Sequence, residues 1–245
     1  MTIPRKIFTS WKDKNILDSQ SPMILNGIGN ISLTSPNWKL EISDDADIDY
    51  YLKSQLENFD YQLSKNLKAA EKSDIWRLLK IYYEGGLYMD LDRFFNVNLD
   101  EVIPDNIKCI IPICNYTDFS QDIMISEPGN PIYIEVLKQI LQLRRSGVTN
   151  TYFLGPQTYL HVVSRMLVNA TIDTNPGRDV MVNLFNFINS SSFMASVIEY
   201  PPYKTLLYKH DPNRFQLGDR NLTDWQQIKE DFYGRYQVRH WTNQW

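Results

Sequence analysis

The 245-residue sequence has no excess of positive charge. Its 25 lysines and arginines are outnumbered by 29 acidic residues, which gives a formal net charge of −4. Because phosphate backbones are bound by basic faces or stripes, we expect no nucleic-acid partner. The content of 43% hydrophobic and 22% charged residues is typical of a globular protein, and it excludes disorder, collagen-like repeats and coiled coils.

A long apolar run is also missing. A transmembrane helix needs roughly 20 mainly apolar residues. The two longest uncharged stretches, 146–164 and 180–198, are interrupted by amide side chains and, in the first, by Gly155-Pro156. No apolar segment of the signal-peptide type follows Met1. We therefore expect a cytoplasmic protein with no transmembrane segment.

Cysteine is scarce, with Cys109 and Cys114 as the two examples in the sequence. They are five residues apart in an apolar, strand-like run, so strand alternation places them on opposite faces and no disulfide is expected. Reduced, buried thiols fit a reducing compartment.

Internal repeats and low-complexity linkers are absent, so we interpret residues 1–245 as one compact domain. Apolar patterning predicts strands at 6–11, 38–42, 87–91, 108–114, 122–126 and 196–199. Helical periodicity predicts two helices within 46–83, with Ser43 as the N-cap and Gly85-Gly86 as the end, and further helices at 131–146 and 157–168. Alternating strands and helices predict an α/β fold with a largely parallel or mixed sheet.

The most informative segment runs from Ser73 to Asp92 and reads SDIWRLLKIYYEGGLYMDLD. Strand alternation places Tyr88, Asp90 and Asp92 on one face. Two neighbouring carboxylates repel each other unless a cation lies beside them. Hard divalent ions such as Mn²⁺ or Mg²⁺ prefer oxygen ligands, and α/β sheets usually bind ligands at the carboxyl ends of their strands. The sequence therefore predicts a divalent-metal site here.

Asp74 and Arg77 precede this strand and lie three residues apart on a predicted helix, so they share one patch. The arginine could hold Asp90 in place or bind oxygens of a ligand, and Asp74 could accept hydrogen bonds from sugar hydroxyls. An ordinary surface ion pair is the alternative interpretation. An isolated Asp-x-Asp occurs often by chance, so the whole string carries the argument.

The string Asp-x-x-Arg followed by Gly-Gly-x-Tyr-x-Asp-x-Asp resembles the Asp-x-Asp region of glycosyltransferase family 32, and more distantly that of glucosylating bacterial toxins. The opening segment 3–12, IPRKIFTSWK, resembles the first strand of that family. Leu154-Gly155-Pro156 and the tail 240–245, HWTNQW, resemble later motifs more loosely. Phe8 and Leu154 depart from the histidine and threonine that are usual at these places.

This resemblance implies a single GT-A type nucleotide-diphospho-sugar transferase domain with a Rossmann-like mixed sheet flanked by helices. It assigns residues 1–92 to the nucleotide-sugar and metal part, and residues 93–245 to the acceptor side and a closing tail. It implies that Trp11 stacks on the base. The implied donor-binding residues are Thr9, Trp11, Asp74, Arg77, Tyr88, Asp90, Gly155, Asn243 and Trp245.

The resemblance also implies a metal shell and a set of catalytic residues. The metal ligands for Mn²⁺, or Mg²⁺, are Asp90, Asp92 and His240. The catalytic residues are Arg77, Asp90, Asp92 and Asp122, the last as a carboxylate near the β-face of the sugar. The implied reaction moves a hexosyl unit, with retention, from a UDP-sugar, or from GDP-mannose as the less favoured donor. The acceptor is a hydroxyl of a glycan, a protein or a lipid-linked molecule.

Three other functions are alternative interpretations of the same residues. Residues 88–95 also resemble the metal-binding strand of lesion-bypass DNA polymerases, but the net charge of −4 argues against that class. A phosphohydrolase would need a threonine or glycine soon after Asp92, where Arg93 and Phe94 stand. A carbohydrate-binding or inactive transferase-like protein stays open, because 6 Trp, 15 Tyr and 11 Phe offer stacking surfaces.

Overall fold

The structure, a computed structural model, describes residues 3–16, 22–91, 94–95, 98–103, 108–114, 118–119, 121–172, 195–200, 203–209 and 217–219. The strands in these ranges are β1 Lys6–Ser10, β2 Lys39–Ser43, β3 Gly86–Met89, β4 Phe94–Phe95, β5 Cys109–Cys114, β6 Asp118–Phe119, β7 Ile123–Ser126, β8 Ala195–Tyr200, β9 Tyr203–Lys209 and β10 Leu217–Asp219. The helices are α1 Pro22–Thr34, α2 Asp45–Gln55, α3 Asn58–Lys65, α4 Ala69–Glu84, α5 Leu99–Val102, α6 Pro131–Arg145 and α7 Thr158–Ile172. A π-helical turn, Phe153–Gln157, leads into α7.

The main sheet is mixed, with the strand order β2-β1-β3-β7-β5-β9-β8 and β6 added to β5. β1 pairs in parallel with β2 and β3, and β7 runs antiparallel to both β3 and β5. β5 and β9 are parallel, β8 is antiparallel to β9, and β4 and β10 form a separate two-stranded sheet. Because β1 and β3 point the same way, their carboxyl ends meet at one edge.

Helices cover both faces of this sheet. Along β1, Phe8 faces the apolar cluster built with α2, α4, α6 and α7, while Ile7 faces the cluster that includes side chains of α1 and α5. Along β3, Tyr88 joins the first cluster and Leu87 the second. Double coverage explains why the strands are nearly continuous apolar runs. The predicted α/β fold with a mixed sheet and flanking helices is confirmed.

The helical region 46–83 contains three helices rather than the two predicted. A residue in extended conformation, Leu56, ends α2, and a short connection separates α3 from α4. The N-cap of α2 is Asp44, not Ser43, which stays in β2. The Asp44 carboxylate accepts from the Asp47 amide at 2.9 Å, and the Asp47 carboxylate accepts from the Asp44 amide at 3.3 Å. This reciprocal capping box satisfies two helix-end donors, which a lone serine would not.

Other predicted boundaries agree closely with the structure. α6 starts at Pro131 behind the side-chain cap Asn130 and ends before Gly147, as the sequence predicts. The strand predicted at 87–91 is Gly86–Met89, so Asp90 lies just beyond its end. Cys109 is buried, and its sulfur lies 3.6 Å from the Tyr133 hydroxyl. None of the helices in the described ranges combines the length and apolar character needed to cross a bilayer.

The turn between α4 and β3 depends on two consecutive glycines. Gly85 and Gly86 have φ angles of +64° and +106°, a region that residues with a β-carbon disfavour. A β-carbon on Gly86 would lie 2.7 Å from the Lys6 carbonyl oxygen. The chain therefore reverses tightly here, so that the first turns of α4 stand beside the carboxyl end of β3.

Gly86→Ala is expected to lower the free energy of unfolding by about 2–4 kcal/mol, because backbone strain and a contact with a fixed strand carbonyl add together. Urea unfolding followed by circular dichroism measures this loss. Gly147→Ala is the matched control, since its φ is +85° but no heavy atom of the described chain lies within 4 Å of its β-carbon position. It should cost about 1 kcal/mol. Equal losses in both variants would contradict the steric explanation.

Candidate active site

Three charged side chains meet at the carboxyl end of β3. Arg77 Nη2 lies 2.7 Å from Asp74 Oδ1, one turn away on α4, and Arg77 Nη1 lies 3.3 Å from Asp90 Oδ1. The Arg77 side chain is only 9% exposed, whereas that of Asp90 is 34% exposed. The pair is therefore buried rather than an ordinary surface ion pair, and Asp90 is the member of the cluster that reaches solvent.

Arg77 is held by main-chain oxygens as well. Its Nη1 donates to the Gln121 carbonyl at 3.0 Å, and its Nε donates to the Ser73 carbonyl at 3.4 Å. Together with the two carboxylates these contacts occupy four of the five guanidinium N–H groups. Burial works to lower the pKa of Arg77. The neighbouring Tyr88, Asp74 and Asp90 side chains outweigh burial, so the pKa lies above its usual range. The guanidinium is thus a fixed cation.

Tyr88 supports the same cluster from below. Its ring packs under the Arg77 guanidinium at 4.7 Å, and its hydroxyl donates to Asp90 Oδ1 at 2.6 Å. Burial raises the pKa of Tyr88 well above its usual range, so the hydroxyl keeps its proton for this bond. The sequence predicts Tyr88 on an open ligand face, but its side chain is buried in the core. It reaches the site through Asp90.

The π-helical turn closes the other side of Asp74. A β-carbon built on Gly155 would overlap the Asp74 Oδ2 atom and would lie 3.4 Å from Gln121 Nε2. Gly155, predicted as a donor-binding residue, therefore lies directly against the predicted sugar-binding carboxylate. A larger residue would displace Asp74, because Arg77 already holds that side chain through its other carboxylate oxygen, Oδ1.

The end of β1 lies at the same edge of the sheet. Ser10 Oγ and Ser73 Oγ are 2.9 Å apart, which ties β1 to α4. The Trp11 amide donates to the Ser43 carbonyl at 3.0 Å, so the chain of Trp11 continues along β2. The Thr9 side chain is fully buried. Thr9 is a predicted donor-binding residue, but the whole residue is buried in β1, where it pairs with Ile42 of β2.

Asp122 also joins this cluster, immediately before β7. Its carbonyl accepts from the Asp90 amide at 2.8 Å, so two of the three predicted catalytic aspartates lie next to each other at the ends of neighbouring strands. Gln121 and Ser73 are the residues that sequence reasoning missed. Gln121 acts through its main-chain carbonyl, which leaves no signal in the sequence. Ser73 directly precedes Asp74 and was detectable only as part of the string.

Four predicted site residues lie outside the described residues: Asp92, His240, Asn243 and Trp245. Of the three predicted metal ligands, only Asp90 is described. Within the described ranges the Asp90 carboxylate accepts two hydrogen bonds, from Arg77 and from Tyr88. Both reach Oδ1, and none reaches Oδ2. A partly exposed carboxylate with one oxygen available fits a ligand of a hard cation. Within the same ranges no three His, Cys, Asp or Glu residues gather in a metal-binding group. A complete metal-binding site would therefore need ligands from outside the described residues, such as the predicted Asp92 and His240.

Asp74 is the titratable group with a distinctive environment. Burial raises its pKa to about 6, against the opposing effect of Arg77 and with smaller contributions from Asp90 and Glu71. The native state therefore holds the Asp74 proton more tightly than the unfolded chain does. Between about pH 4 and pH 6 the contribution of Asp74 to the free energy of unfolding therefore falls as the pH rises, because its native form binds more protons in that window.

Comparison with Asp74→Asn isolates this effect. The stability of the wild type relative to the variant is expected to fall by about 2–2.5 kcal/mol between pH 4 and pH 8. Urea unfolding in EDTA, which removes metal ions, measures the difference at each pH. Other titrating groups cancel between the two proteins. A difference that stays constant, or that grows in favour of the wild type as the pH rises, would show that Arg77 and not burial controls Asp74.

Comparison with known proteins bears on this geometry. Residues 4–108 match the family model described as glycosyltransferase sugar-binding region containing DXD motif. The fold is similar to that of PaToxG glycosyltransferase, with a TM-score of 0.53 and 19% identity over 76% of each chain. The apo-form glycosyltransferase GlyE of Streptococcus pneumoniae TIGR4 is 10% identical, over 96% of this chain and 64% of that chain, with a TM-score of 0.39. No curated protein matches the chain.

The matched region 4–108 contains β1, α4, β3 and the Asp90-Leu91-Asp92 sequence. The likeness to PaToxG glycosyltransferase concerns the fold alone at this level of identity. Membership of glycosyltransferase family 32 stays a prediction. The findings thus show a match to a DXD-containing glycosyltransferase region over residues 4–108 and a fold similar to that of a known glycosyltransferase.

Proposed function

We propose that the chain is a metal-dependent glycosyltransferase that moves a hexosyl unit from a nucleotide sugar to an acceptor hydroxyl. The observation that carries this proposal is the Asp74, Arg77 and Asp90 cluster at the carboxyl end of β3, within the region that matches the DXD family model. A fixed cation between two carboxylates, one buried and one open to solvent, is suited to orienting a polar ligand.

The three residues take different parts in donor binding. Four N–H groups of Arg77 are already used within the chain, so its main contribution is to hold Asp74 and Asp90. Asp90, the most exposed of the three, contacts the donor or its metal ion. Asp74 Oδ1 is bound to Arg77 and Oδ2 lies against Gly155, so Asp74 orients the donor by holding the arginine in place. Asp122, adjacent to Asp90, is the carboxylate near the β-face of the sugar.

A divalent ion, Mn²⁺ or Mg²⁺, would be held by Asp90 together with Asp92 and His240. When bound, such an ion neutralises negative charge on the departing diphosphate. Trp11 stacks on the base at the end of β1, and Asn243 and Trp245 contact the diphosphate. UDP-sugars are favoured as donors, GDP-mannose is the second choice, and the configuration at the anomeric carbon is retained.

Calorimetry of the full chain with UDP and with GDP, each with and without Mn²⁺, tests the proposal. Nucleotide binding that requires Mn²⁺ is the expected result. Incubation with a panel of nucleotide sugars should then show metal-dependent hydrolysis of at least one donor. Binding of free glycans without any nucleotide binding would instead identify a carbohydrate-binding or inactive transferase-like protein.

A further inference from the structure

Two adjacent aromatic side chains lie exposed beside the candidate donor site. Tyr152 and Phe153 are 41% and 44% exposed, although the next two residues, Leu154 and Gly155, are buried. We refer to Tyr152 and Phe153 as the aromatic lip. Large exposed apolar side chains often mark binding surfaces.

The aromatic lip is fixed next to Asp74 by contacts on both sides. Thr151 Oγ1 donates to Glu71 Oε1 at 3.0 Å, and Gly155 lies against Asp74. Glu71 and Asp74 are one turn apart on α4, so residues 151–155 run along the first turns of that helix. These turns stand at the carboxyl edge of β3, where Asp90 lies. The aromatic lip is therefore at the rim of the donor site.

The backbone of the aromatic lip is also held in place before any ligand arrives. The Phe153 amide donates to Asn150 Oδ1 at 2.9 Å, and the Phe153 carbonyl accepts from Thr158 Oγ1 at 2.7 Å. The segment forms a π-helical turn, a rare conformation that occurs frequently at functional sites. A preformed turn loses little conformational entropy when a ligand binds.

The chain segment that contains the aromatic lip has no formally charged residue. Residues 146–164 contain no Asp, Glu, Lys or Arg in a chain that is 22% charged. The exposed neighbours are neutral hydrogen-bonding groups, among them Thr149, Asn150 and Gln157. The nearest basic residues along the chain are held by hydrogen bonds, Arg144 to the Val148 carbonyl and Arg145 to Asp60. Residues 146–164 themselves offer no charge to a phosphate or a charged peptide, and Glu71, the carboxylate bonded to Thr151, is buried.

We propose that the aromatic lip is the acceptor subsite and that it binds a neutral sugar ring. A pyranose has an apolar C–H face that packs on aromatic rings, and its hydroxyls match amide and hydroxyl partners. A ring stacked there would stand beside the donor sugar that Asp74 orients. This inference rests on the proposed function and narrows the acceptor to a neutral glycan.

The test measures how the donor is divided between acceptor and water. Wild-type protein is first incubated with the nucleotide-sugar panel and Mn²⁺ to find a donor that it hydrolyses. Fresh donor of that kind is then supplied together with neutral methyl glycosides, a methyl glucuronide, or a peptide that contains serine and tyrosine. The ratio of transfer to hydrolysis is expected to be highest with a neutral glycoside. In the double variant Tyr152→Ala with Phe153→Ala, that ratio should fall about tenfold.

The ratio separates stacking from a general loss of structure, because misfolding lowers transfer and hydrolysis together. Tyr152→Phe combined with Phe153→Tyr keeps both aromatic faces and should retain the wild-type ratio. Tyr83→Ala removes an exposed aromatic ring at the other end of α4 and should leave both rates unchanged.

Saturation-transfer NMR on the wild type with UDP and Mn²⁺ gives a second readout, in which protons on the C–H face of the glycoside should receive most of the magnetisation. An unchanged ratio in the double alanine variant, or preferred transfer to the peptide or the glucuronide, overturns the inference. Absence of hydrolysis of every donor overturns the proposed function and this inference with it. Since hydrolysis is measured first, the two failures are distinguishable.

Discussion

Asp92→Ala is expected to abolish metal-dependent sugar transfer, with kcat/KM falling by about a thousandfold or more, because a metal that stabilises the leaving group contributes several kcal/mol to the transition state. Among the described residues, Asp90 is the one predicted ligand for that ion. Asp90 already commits Oδ1 to Tyr88 and Arg77, so one oxygen is left for a metal. Loss of the second aspartate removes much of the remaining shell.

The variant is measured by donor hydrolysis and by transfer over a Mn²⁺ titration, with thermal unfolding as a test of the fold. The melting temperature measured without Mn²⁺ should stay within about 2 °C of wild type, because the role proposed for Asp92 requires the ion. Glu135→Gln is the matched control, because it removes a partly exposed carboxylate whose ion-pair partner among the described residues is Lys138, on the same helix α6. Unchanged sugar transfer by Asp92→Ala would refute the metal-dependent mechanism.

Local sequence rules predicted much of the framework of this site. The glycine pair after α4, the strand that follows it and the alternation of Leu87 and Tyr88 between two core clusters are all consequences of nearest neighbours along the chain. The contact between Arg77 and Asp90 was one of two interpretations of their spacing, and the structure places these side chains 3.3 Å apart. The helix and the strand are adjacent in sequence, which is why this contact was accessible.

Contacts between distant segments were not accessible in the same way. Gly155 lies against Asp74 although 81 positions separate them, and Arg77 bonds to the carbonyl of Gln121, 44 positions away. Such pairings depend on how α4, β7 and the π-helical turn pack, and periodicity in one segment carries no information about another. The burial of Tyr88 was missed for a related reason. Alternation gives the face of a strand, but the helix that covers that face is set by tertiary packing.

The second large effect is expected for Arg77→Ala, which should lower the free energy of unfolding by about 3–5 kcal/mol, because one partner of a buried ion pair is left uncompensated. Asp74 would lose the cation that opposes its burial, so its pKa would rise further above its usual value. The loss should therefore be smaller at pH 5, where Asp74 is protonated, than at pH 8. Urea unfolding at the two pH values measures it.

Arg77→Lys distinguishes charge from geometry. A lysine keeps one positive charge but cannot span Asp74, Asp90 and a carbonyl with a planar fork, so we expect a stability loss of about 2 kcal/mol and loss of Mn²⁺-dependent nucleotide binding in calorimetry.

Arg145→Ala is the control for removing an arginine from an aspartate. Arg145 Nη2 contacts Asp60 at 2.6 and 2.7 Å, but its side chain is 48% exposed and distant in sequence from the cluster. Asp60 itself is buried, but only one carboxylate loses its partner here, so the cost should be about 1–3 kcal/mol with nucleotide binding intact. If Arg77→Lys instead bound nucleotide as wild type does, a single positive charge would suffice, and the fixed geometry of the two carboxylates would not be what the site requires.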